Sequence, residues 1–312
     1  MPGKIDTHAH YVPPAYRRYL EEEGFFGGQA TPRWSSDEAL EMMATLGVDT
    51  SVLSVARPGF WFGDVERAAA MARQVNEYAA DLVRDMPDRF GLFAALPLPD
   101  IDSALREVEH AFDELRCDGV VLLANCDGVY LGDPRLEELM AELDRREAVV
   151  FVHPNALPAD PVPGVPVFVA DFLLDTTRAA LNMVRHGVLR RHSRLKVILS
   201  HGGGLLPYAA HRIASLTPTG ESGVVDREGF LEAARSFYFD TALTSSPDSM
   251  PSLLAFARPG HVLYGSDWPY AREDNSEYFT EQLDRYCLDD HARRSIERGA
   301  AEHLIPRLGH DE

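Results

Sequence analysis

The chain has 312 residues, of which 45% are hydrophobic and 25% charged, a balance typical of a folded globular protein with a large core. Its 49 acidic residues outnumber 30 Lys and Arg, which gives a formal net charge of −19 without any block of basic residues, so we do not expect nucleic acid as a partner. No apolar run approaches the roughly 20 residues that a membrane-spanning helix needs, so we do not expect a membrane protein either.

The cysteines and the first residues of the chain indicate the cellular compartment in which we expect the protein. Three scattered cysteines (Cys117, Cys126 and Cys287) fit neither a zinc-binding pattern nor a disulfide framework, which predicts a reducing compartment. The chain enters its first predicted strand almost at once, without the charged and apolar regions of a secretory signal. The sequence therefore predicts a cytoplasmic protein.

Short apolar runs alternate with helical patterns along the chain. The runs predict eight buried strands, near residues 4–8, 51–55, 90–95, 119–124, 149–153, 196–200, 237–240 and 261–266. Between them, a capping box at Ser35 and Glu38 begins a helix that extends to Leu46, and Asp133 followed by Pro134 begins another. Segments 65–84, 103–116, 176–191 and 276–286 have the same helical periodicity.

Strands that alternate with helices form a parallel sheet, and eight such units predict a (β/α)8 TIM barrel of the α/β class. No linker divides the sequence, so we expect one domain over residues 1–312; a doubly wound open sheet is the alternative fold. The regular alternation is interrupted by residues 154–174, which contain five prolines. Because this segment follows a predicted strand directly, it could be a lid, a wall of the substrate pocket, a subunit contact or a packed surface loop.

Residues that can bind a metal stand at the ends of four predicted strands. They are His8 and His10 at the first strand, His153 at the fifth, His201 at the sixth and Asp267 at the eighth. The carboxyl ends of parallel strands meet at one edge of the barrel, and residues i and i+2 of a strand share a face, so these side chains would converge. Imidazole and carboxylate suit Zn²⁺ or another divalent first-row metal, and Mn²⁺ is an alternative. The sequence predicts a metal-dependent enzyme.

These strand ends belong to motifs that, in this order, resemble the amidohydrolase superfamily, and within it the branch of mononuclear decarboxylases and hydrolases. The motifs span Ile5–His10, Phe151–Pro154, Ser200–Gly204 and Gly265–Pro269. The resemblance implies that the metal is bound by His8, His10, His153 and Asp267, and that His201 is a catalytic base or an electrostatic group. Binuclear members carry a lysine after the fourth strand, where this chain has residues 122–125 (Leu-Leu-Ala-Asn), which favours a single metal.

Within that branch the chain is most similar to aminocarboxymuconate-semialdehyde decarboxylase and to the hydroxybenzoate decarboxylases. The stretches Leu53–Gly59 and Pro87–Pro97 resemble the 6-methylsalicylate decarboxylase group. The resemblance implies a non-oxidative decarboxylase of a small aromatic or muconate-type acid, with a hydroxybenzoate such as 6-methylsalicylate as the first substrate to consider. A metal-dependent hydrolase of a lactone or amide would use the same site, and a barrel that only binds a metabolite is a third alternative.

An anionic substrate needs cationic groups in so acidic a protein. Arg57 follows the second strand at the catalytic edge, and Arg212 lies eleven residues after His201. In resembling decarboxylases an arginine near the latter position reaches into the pocket of the partner subunit, which implies a homodimer or a higher homo-oligomer. Either arginine could instead form a surface ion pair. Arg33 and Arg178 are further candidates.

Aromatic side chains could form the walls of a pocket for a flat ring. Trp268 and Tyr270 closely follow Asp267, and Phe60 follows the second strand, although core packing is the alternative role for each of them. For catalysis we expect Asp267 to transfer the proton that replaces the carboxyl group, with His201 orienting it or contacting a substrate oxygen. A second route adds a water, activated at the metal by His201, before carbon dioxide leaves.

Overall fold

Eight parallel strands form the centre of the computed structural model, which describes residues 3–25, 31–217 and 226–309. We number them β1 to β8 in chain order: Lys4–His10, Val48–Ser54, Phe90–Ala95, Gly119–Leu123, Val149–His153, Lys196–Leu199, Tyr238–Asp240 and Val262–Leu263. Each strand pairs in parallel with the next one along the chain, as in the register of Val150 with Val197 between β5 and β6. All eight predicted strands are confirmed.

Backbone hydrogen bonds join the end of this sheet to its beginning. The amide of Thr7 in β1 donates to the carbonyl of Tyr264 just after β8 (3.0 Å), and the amide of His10 donates to the carbonyl of Trp268 (2.8 Å). The sheet therefore curves into a barrel, which confirms the predicted TIM barrel over the open, doubly wound sheet. The single domain over residues 1–312 stays a prediction.

Helices surround the barrel in the gaps between the strands. In chain order, α1 to α13 span Pro14–Glu22, Ser36–Leu46, Val65–Asp85, Ile101–Asp113, Glu137–Arg145, Asp171–Arg185, Val188–Arg191, Leu206–Leu216, Arg227–Ala234, Met250–Phe256, Glu273–Arg285, Asp290–Arg294 and Ala300–Leu304. Each long helix buries an apolar stripe against the strands; in α3 the buried positions are Ala68, Ala72, Val75 and Ala79, which recur every three or four residues.

Local signals in the sequence explain where several helices begin. The predicted capping box is confirmed, because the Ser35 hydroxyl accepts from the amide of Glu38 (3.2 Å) and donates to its carboxylate (2.9 Å). Asp133 caps a helical start as predicted, but the first turn, Pro134–Leu136, is a 3-10 helix that leads into α5. The helix predicted over 176–191 begins earlier, at Asp171, and breaks before α7 at Gly187, whose φ of +63° favours glycine.

Two of the remaining segments follow the carboxyl ends of β4 and β5. A short antiparallel pair, Asn125–Cys126 with Val129–Tyr130, follows β4, and the proline-rich segment after β5 contains a 3-10 turn at Val167–Val169.

All three cysteines are free thiols. In the part of the chain that the structure describes, no helix is both long enough and apolar enough to cross a bilayer.

Candidate metal centre

Four side chains converge at the carboxyl ends of the strands. One ligand atom from each of His8, His10, His153 and Asp267 lies within 4.8 Å of the other three, and all four residues are buried. The two β1 histidines are at the end of that strand, His153 is the last residue of β5, and Asp267 follows β8. Three imidazole nitrogens and one carboxylate oxygen form a donor set that suits one divalent cation of the first transition row.

Hydrogen bonds at the outer nitrogens orient the three imidazoles. His10 Nδ1–H donates to the carbonyl oxygen of Ser54 (3.1 Å), and His153 Nδ1–H donates to that of Pro154 (2.8 Å). His8 Nδ1–H donates a hydrogen bond to a carboxylate oxygen of Asp240 (2.7 Å). Because carbonyl and carboxylate oxygens can only accept here, each ring carries its proton on Nδ1 and directs Nε2 inward.

The inward nitrogens need a positive charge between them. His8 Nε2 and His10 Nε2 are only 3.1 Å apart, and with both protons on Nδ1 each presents a lone pair to the other. A proton on one of the two nitrogens, or a cation shared by both, removes this repulsion. The residues present therefore fit a bound metal ion on the chemistry of their donor atoms.

The pKa values of the three ligand histidines reflect their burial and the negative charges of the neighbouring carboxylates. Burial by itself would lower the pKa of His8, but the charges of Asp240 and Asp267 outweigh it and raise that pKa to about 10. Burial lowers the pKa of His10 and holds that of His153 well below the usual value, so these two rings are neutral ligands at pH 7. The negative field that favours a proton at His8 equally favours a metal cation.

Asp267 connects this cluster to His201. Its Oδ1 lies 3.0 Å from His10 Nε2 and 3.1 Å from His8 Nε2, while its Oδ2 lies 3.3 Å from His201 Nε2. Burial alone would raise the pKa of Asp267, yet the charge of His8 and the short contacts of the carboxylate with His10 and His201 hold that pKa well below the ordinary value. The carboxylate is therefore ionised and shared between the ligand cluster and His201.

The backbone at both of these residues is in the left-handed region. His201 has a φ of +52° and Asp267 a φ of +61°, which costs a non-glycine residue about 1–3 kcal/mol. Hydrogen bonds hold the two turns: the Asp267 amide donates to the carbonyl of His8 (2.7 Å), and the His201 amide donates to Asp240 Oδ1 (2.8 Å). Strain maintained in this way is common where side chains must be aimed at a site.

The glycines after His201 let two elements approach each other. Gly204 has a φ of +64°, and a Cβ at this position would overlap the carbonyl oxygen of Leu173 at the start of α6. This close approach of the backbone explains the triple glycine without a bound phosphate.

Arg57 lies at the rim of the cluster. Its guanidinium is 4.8 Å from the ring of Phe25 and 5.6 Å from that of Phe172, and the latter ring lies 6.2 Å from the ring of His153. Arg57 Nε is buried and has no hydrogen-bond partner among the described residues. Burial lowers the pKa of this arginine, although Tyr270 and other neighbouring groups oppose that effect.

Tyr270 lies in the same region as Arg57, since each group acts on the pKa of the other. Its ring packs edge-on against the His10 ring at 5.2 Å, and its hydroxyl is buried without a partner in the described chain. Burial raises the pKa of Tyr270 well above its usual value, so the hydroxyl keeps its proton and is free to donate it in a hydrogen bond.

The side chains of three other residues predicted to bind substrate make no ring contact or hydrogen bond with the ligand imidazoles within the described chain. The Phe60 ring is buried against Tyr16 at 5.4 Å. Trp268 lines a narrow cavity between β1 and α2 together with Trp34, and Arg212 is exposed on α8. In residues 3–25, 31–217 and 226–309, the non-histidine rings that contact the imidazole cluster are those of Phe151, Phe172 and Tyr270.

Sequence reasoning missed Asp240, which contacts both His8 and the His201 turn. The signal was present, because Asp240 ends β7 directly after the apolar residues Phe237–Phe239, in the way that His153 ends β5. Ser54 was missed as well. Its hydroxyl oxygen lies 3.0 Å and its carbonyl oxygen 3.1 Å from His10 Nδ1.

Comparison with known proteins gives consistent matches over nearly the whole chain. The sequence profile of the amidohydrolase family matches residues 5–307. A 6-methylsalicylic acid decarboxylase of Penicillium expansum is 40% identical over 315 aligned positions, which cover 98% of this chain and 97% of that protein.

Solved structures match equally well in fold. A crystal structure of an amidohydrolase II superposes with a TM-score of 0.87 and 30% identity, covering 97% of this chain and 99% of the other. A 2,6-dihydroxybenzoate decarboxylase in complex with 2,6-dihydroxybenzoate has a TM-score of 0.83 over 98% of this chain and all of the other, and at 23% identity this likeness concerns the fold alone.

Proposed function

The chain belongs to the amidohydrolase family, and we propose that it is a metal-dependent, non-oxidative decarboxylase of 6-methylsalicylate or a closely similar hydroxybenzoate. The 40% identity to a 6-methylsalicylic acid decarboxylase supports carbon dioxide release rather than hydrolysis of a lactone or amide. The converging ligands likewise argue against a barrel that only binds a metabolite, because binding alone does not require them.

The proposal that the substrate is an anion depends on Arg57. A buried guanidinium nitrogen without a partner is unfavourable unless an anion joins it, and this protein is otherwise strongly acidic. Asp175, whose charge acts on Arg57, is already bonded to Asn125, Tyr130 and the amide of Asn155. A substrate carboxylate held near Arg57 would satisfy it, with the free hydroxyl of Tyr270 as a second donor.

An apolar cavity next to Arg57 favours a substituted aromatic ring over a muconate-type acid. Its lining includes Phe60, Leu98, Leu123 and Cys126, together with Pro58 and Gly59, and none of the described residues that line it is charged. It adjoins the ligand cluster, because Leu123 pairs in register with His153. We assign this cavity to the ring substituent, such as the methyl group of 6-methylsalicylate, which gives Phe60 the role of a wall for that group.

Zn²⁺ is the metal we propose, held by His8, His10, His153 and Asp267, because three neutral imidazoles and one carboxylate are typical zinc ligands. Mn²⁺ is the alternative if substrate oxygens complete a larger coordination shell. When bound, such a cation would supply Lewis-acid chemistry that stabilises negative charge on the oxygens of the substrate.

His201 and Asp267 are the residues we propose to handle the proton. The ring carbon that bears the carboxyl group gains a proton, the bond to the carboxyl carbon breaks, its electron pair returns to the ring, and carbon dioxide leaves. Because Asp267 is ionised before the reaction, it has no proton of its own to give. A neighbouring group must therefore transfer a proton to Asp267 or directly to the substrate. His201 Nε2, 3.3 Å from Asp267 Oδ2, is placed to supply that proton to the pair.

A homodimer is proposed from the exposed apolar side chains. Eight of the ten large apolar residues that are exposed in the described chain lie on two adjacent segments: Val162, Val165, Phe168, Val169, Leu174, Leu205, Tyr208 and Leu216. Phe168 is 65% and Tyr208 is 83% exposed, and large apolar side chains exposed together on neighbouring segments are typical of a protein interface. Arg212 lies between Tyr208 and Leu216 at four-residue spacing on the same face of α8, so a second copy bound there would receive Arg212.

The free cysteines support a cytoplasmic location.

A mixing experiment tests the dimer and the role of Arg212 together. Arg212→Ala and His201→Ala subunits, each inactive alone, are unfolded together and refolded as a mixture. If Arg212 acts in the partner's site, hybrid dimers contain one complete site and regain activity, whereas an arginine that acts in its own subunit leaves the mixture inactive.

The proposed activity is tested with the zinc-loaded protein and a set of hydroxybenzoates that includes salicylate, 2,6-dihydroxybenzoate and 6-methylsalicylate. We expect carbon dioxide release, fastest from the methyl-substituted acid and lost in His201→Ala. No release from any of these acids by protein with bound metal would refute the proposal.

A further inference from the structure

We propose that Asp240 is a positioning residue that fixes His8 as a metal ligand and at the same time holds the turn that carries His201. This inference rests on the proposed metal-dependent function, and it concerns a residue that binds neither the metal nor the substrate. Asp240 ends β7 and is completely buried, as is the His8 side chain.

One oxygen of Asp240 acts on the metal ligand. Oδ2 lies 2.7 Å from His8 Nδ1, the shortest of the contacts that orient the three ligand imidazoles. A carboxylate at this position keeps the proton on Nδ1 and leaves Nε2 with a lone pair for the metal. The close packing of Gly265 supports this geometry, since a Cβ there would lie 2.7 Å from the Cβ of His8 and 3.3 Å from that of Asp240.

The other oxygen acts on the backbone beneath His201. Oδ1 accepts from the amide of His201 (2.8 Å) and from the amide of Ala242 (3.1 Å). His201 is in the left-handed region, so its turn depends on such bonds. A single carboxylate therefore joins a ligand on β1 to the proposed proton donor after β6.

The chemistry of the three donors explains why the residue must be an acid. Asp240 faces one ring N–H and two backbone N–H groups, and a carboxylate accepts from all three with its two oxygens. In Asp240→Asn, the single amide oxygen can stay with the two backbone amides, but the NH2 group then faces His8 Nδ1. His8 must respond by accepting at Nδ1 and carrying its proton on Nε2, where the metal would bind.

Asp6 provides a matched control on the same strand. It is also a buried carboxylate, and its Oδ1 accepts from the amides of His8 (3.0 Å) and Ser266 (3.1 Å), but it bonds to no imidazole nitrogen. Asp6→Asn can keep both backbone bonds with its remaining oxygen. It makes the same chemical change beside the metal centre without touching the His8 ring.

The test measures zinc affinity by competition with a chelating indicator for the wild type, Asp240→Asn and Asp6→Asn. We expect Asp240→Asn to bind zinc about 10- to 100-fold more weakly, the usual effect of losing such a partner, and Asp6→Asn to stay within about threefold of wild type on the same reasoning. Unchanged affinity in Asp240→Asn, or an equal loss in both variants, would overturn the inference. If the wild type itself binds no zinc, the metal-dependent function fails instead.

A second measurement needs no variant. In the zinc-loaded wild type, nitrogen-15 NMR of the histidine rings should show His8 with its proton on Nδ1, in a strong hydrogen bond, and its Nε2 bound to the metal. A His8 ring bound to zinc through Nδ1 would overturn the role of Asp240, even if Asp240→Asn could not be obtained in folded form.

Discussion

Replacement of Arg57 by Met should separate function from stability. Met keeps much of the length and apolar volume of Arg but removes the positive charge and all five donors. The change should lower kcat/KM for 6-methylsalicylate, because the substrate carboxylate loses a charged hydrogen-bond donor. Such bonds contribute about 1.5–3 kcal/mol, which corresponds to roughly a 10- to 150-fold loss in kcat/KM.

The same change should leave the free energy of unfolding almost unchanged. Arg57 loses its cation–π contacts with Phe25 and Phe172, worth about 0.5–1 kcal/mol each, but the protein no longer buries a guanidinium nitrogen without a partner. These terms oppose each other, so we expect a net change within about 1 kcal/mol. The assays are steady-state kinetics of carbon dioxide release and urea unfolding of the same preparation.

Arg73→Met provides the opposite case. Arg73 donates to the buried carboxylate of Glu107 at 2.8 Å, so its loss leaves a buried acid with less compensation and should cost about 1–3 kcal/mol of stability without affecting kcat/KM. If Arg57→Met instead behaved in this way, with stability lost by more than about 2 kcal/mol and KM unchanged, Arg57 would be structural and the assigned position of the substrate carboxylate would be wrong.

Three further predictions follow from the site and its surroundings. Asp267→Asn should abolish turnover and lower the zinc content measured by metal analysis; a rate near that of the wild type would remove Asp267 from the mechanism. Cys126→Leu should fill part of the apolar cavity and reduce kcat/KM for 6-methylsalicylate relative to salicylate by about tenfold; an unchanged ratio of the two rates would place the methyl group elsewhere. Hydrogen bonds from Arg145, opposed by burial and aided by Arg146, lower the pKa of Glu142 to about 2. Because a lowered folded-state pKa stabilises only while the acid is ionised, Glu142→Gln should cost about 1 kcal/mol at pH 7, and the cost should vanish as the pH falls from 4.5 towards 2; a constant difference in urea unfolding over that range would contradict it.

Much of this architecture could be predicted from the sequence because its signals are local. Most barrel strands are short apolar runs, and each ligand stands at or just after the end of a strand, so strand position alone places His8, His153 and Asp267 at one edge. The Ser35 cap is equally local, since its partner is three residues away.

The rest depends on geometry that no short pattern contains. The run after His261 predicts a strand to residue 266, but the regular ladder of β8 ends at Leu263, since the chain turns to pack Gly265 against His8 and to place Asp267 at positive φ. The partner of His8, Asp240, is 232 residues away, and only the closed barrel brings the two together. For residues on loops, such as Phe60 and Trp268, the sequence predicts a position near the catalytic face. It does not predict where their side chains point, because no strand fixes the direction of these side chains.

The metal-dependent decarboxylase activity is tested most directly by the products of one reaction. 6-Methylsalicylate is incubated with protein that has been stripped of metal and with the same protein reloaded with zinc. We expect the reloaded protein to release carbon dioxide and 3-methylphenol in equal amounts, and the stripped protein to release neither. Equal rates with and without metal, or consumption of the acid without carbon dioxide release, would contradict it.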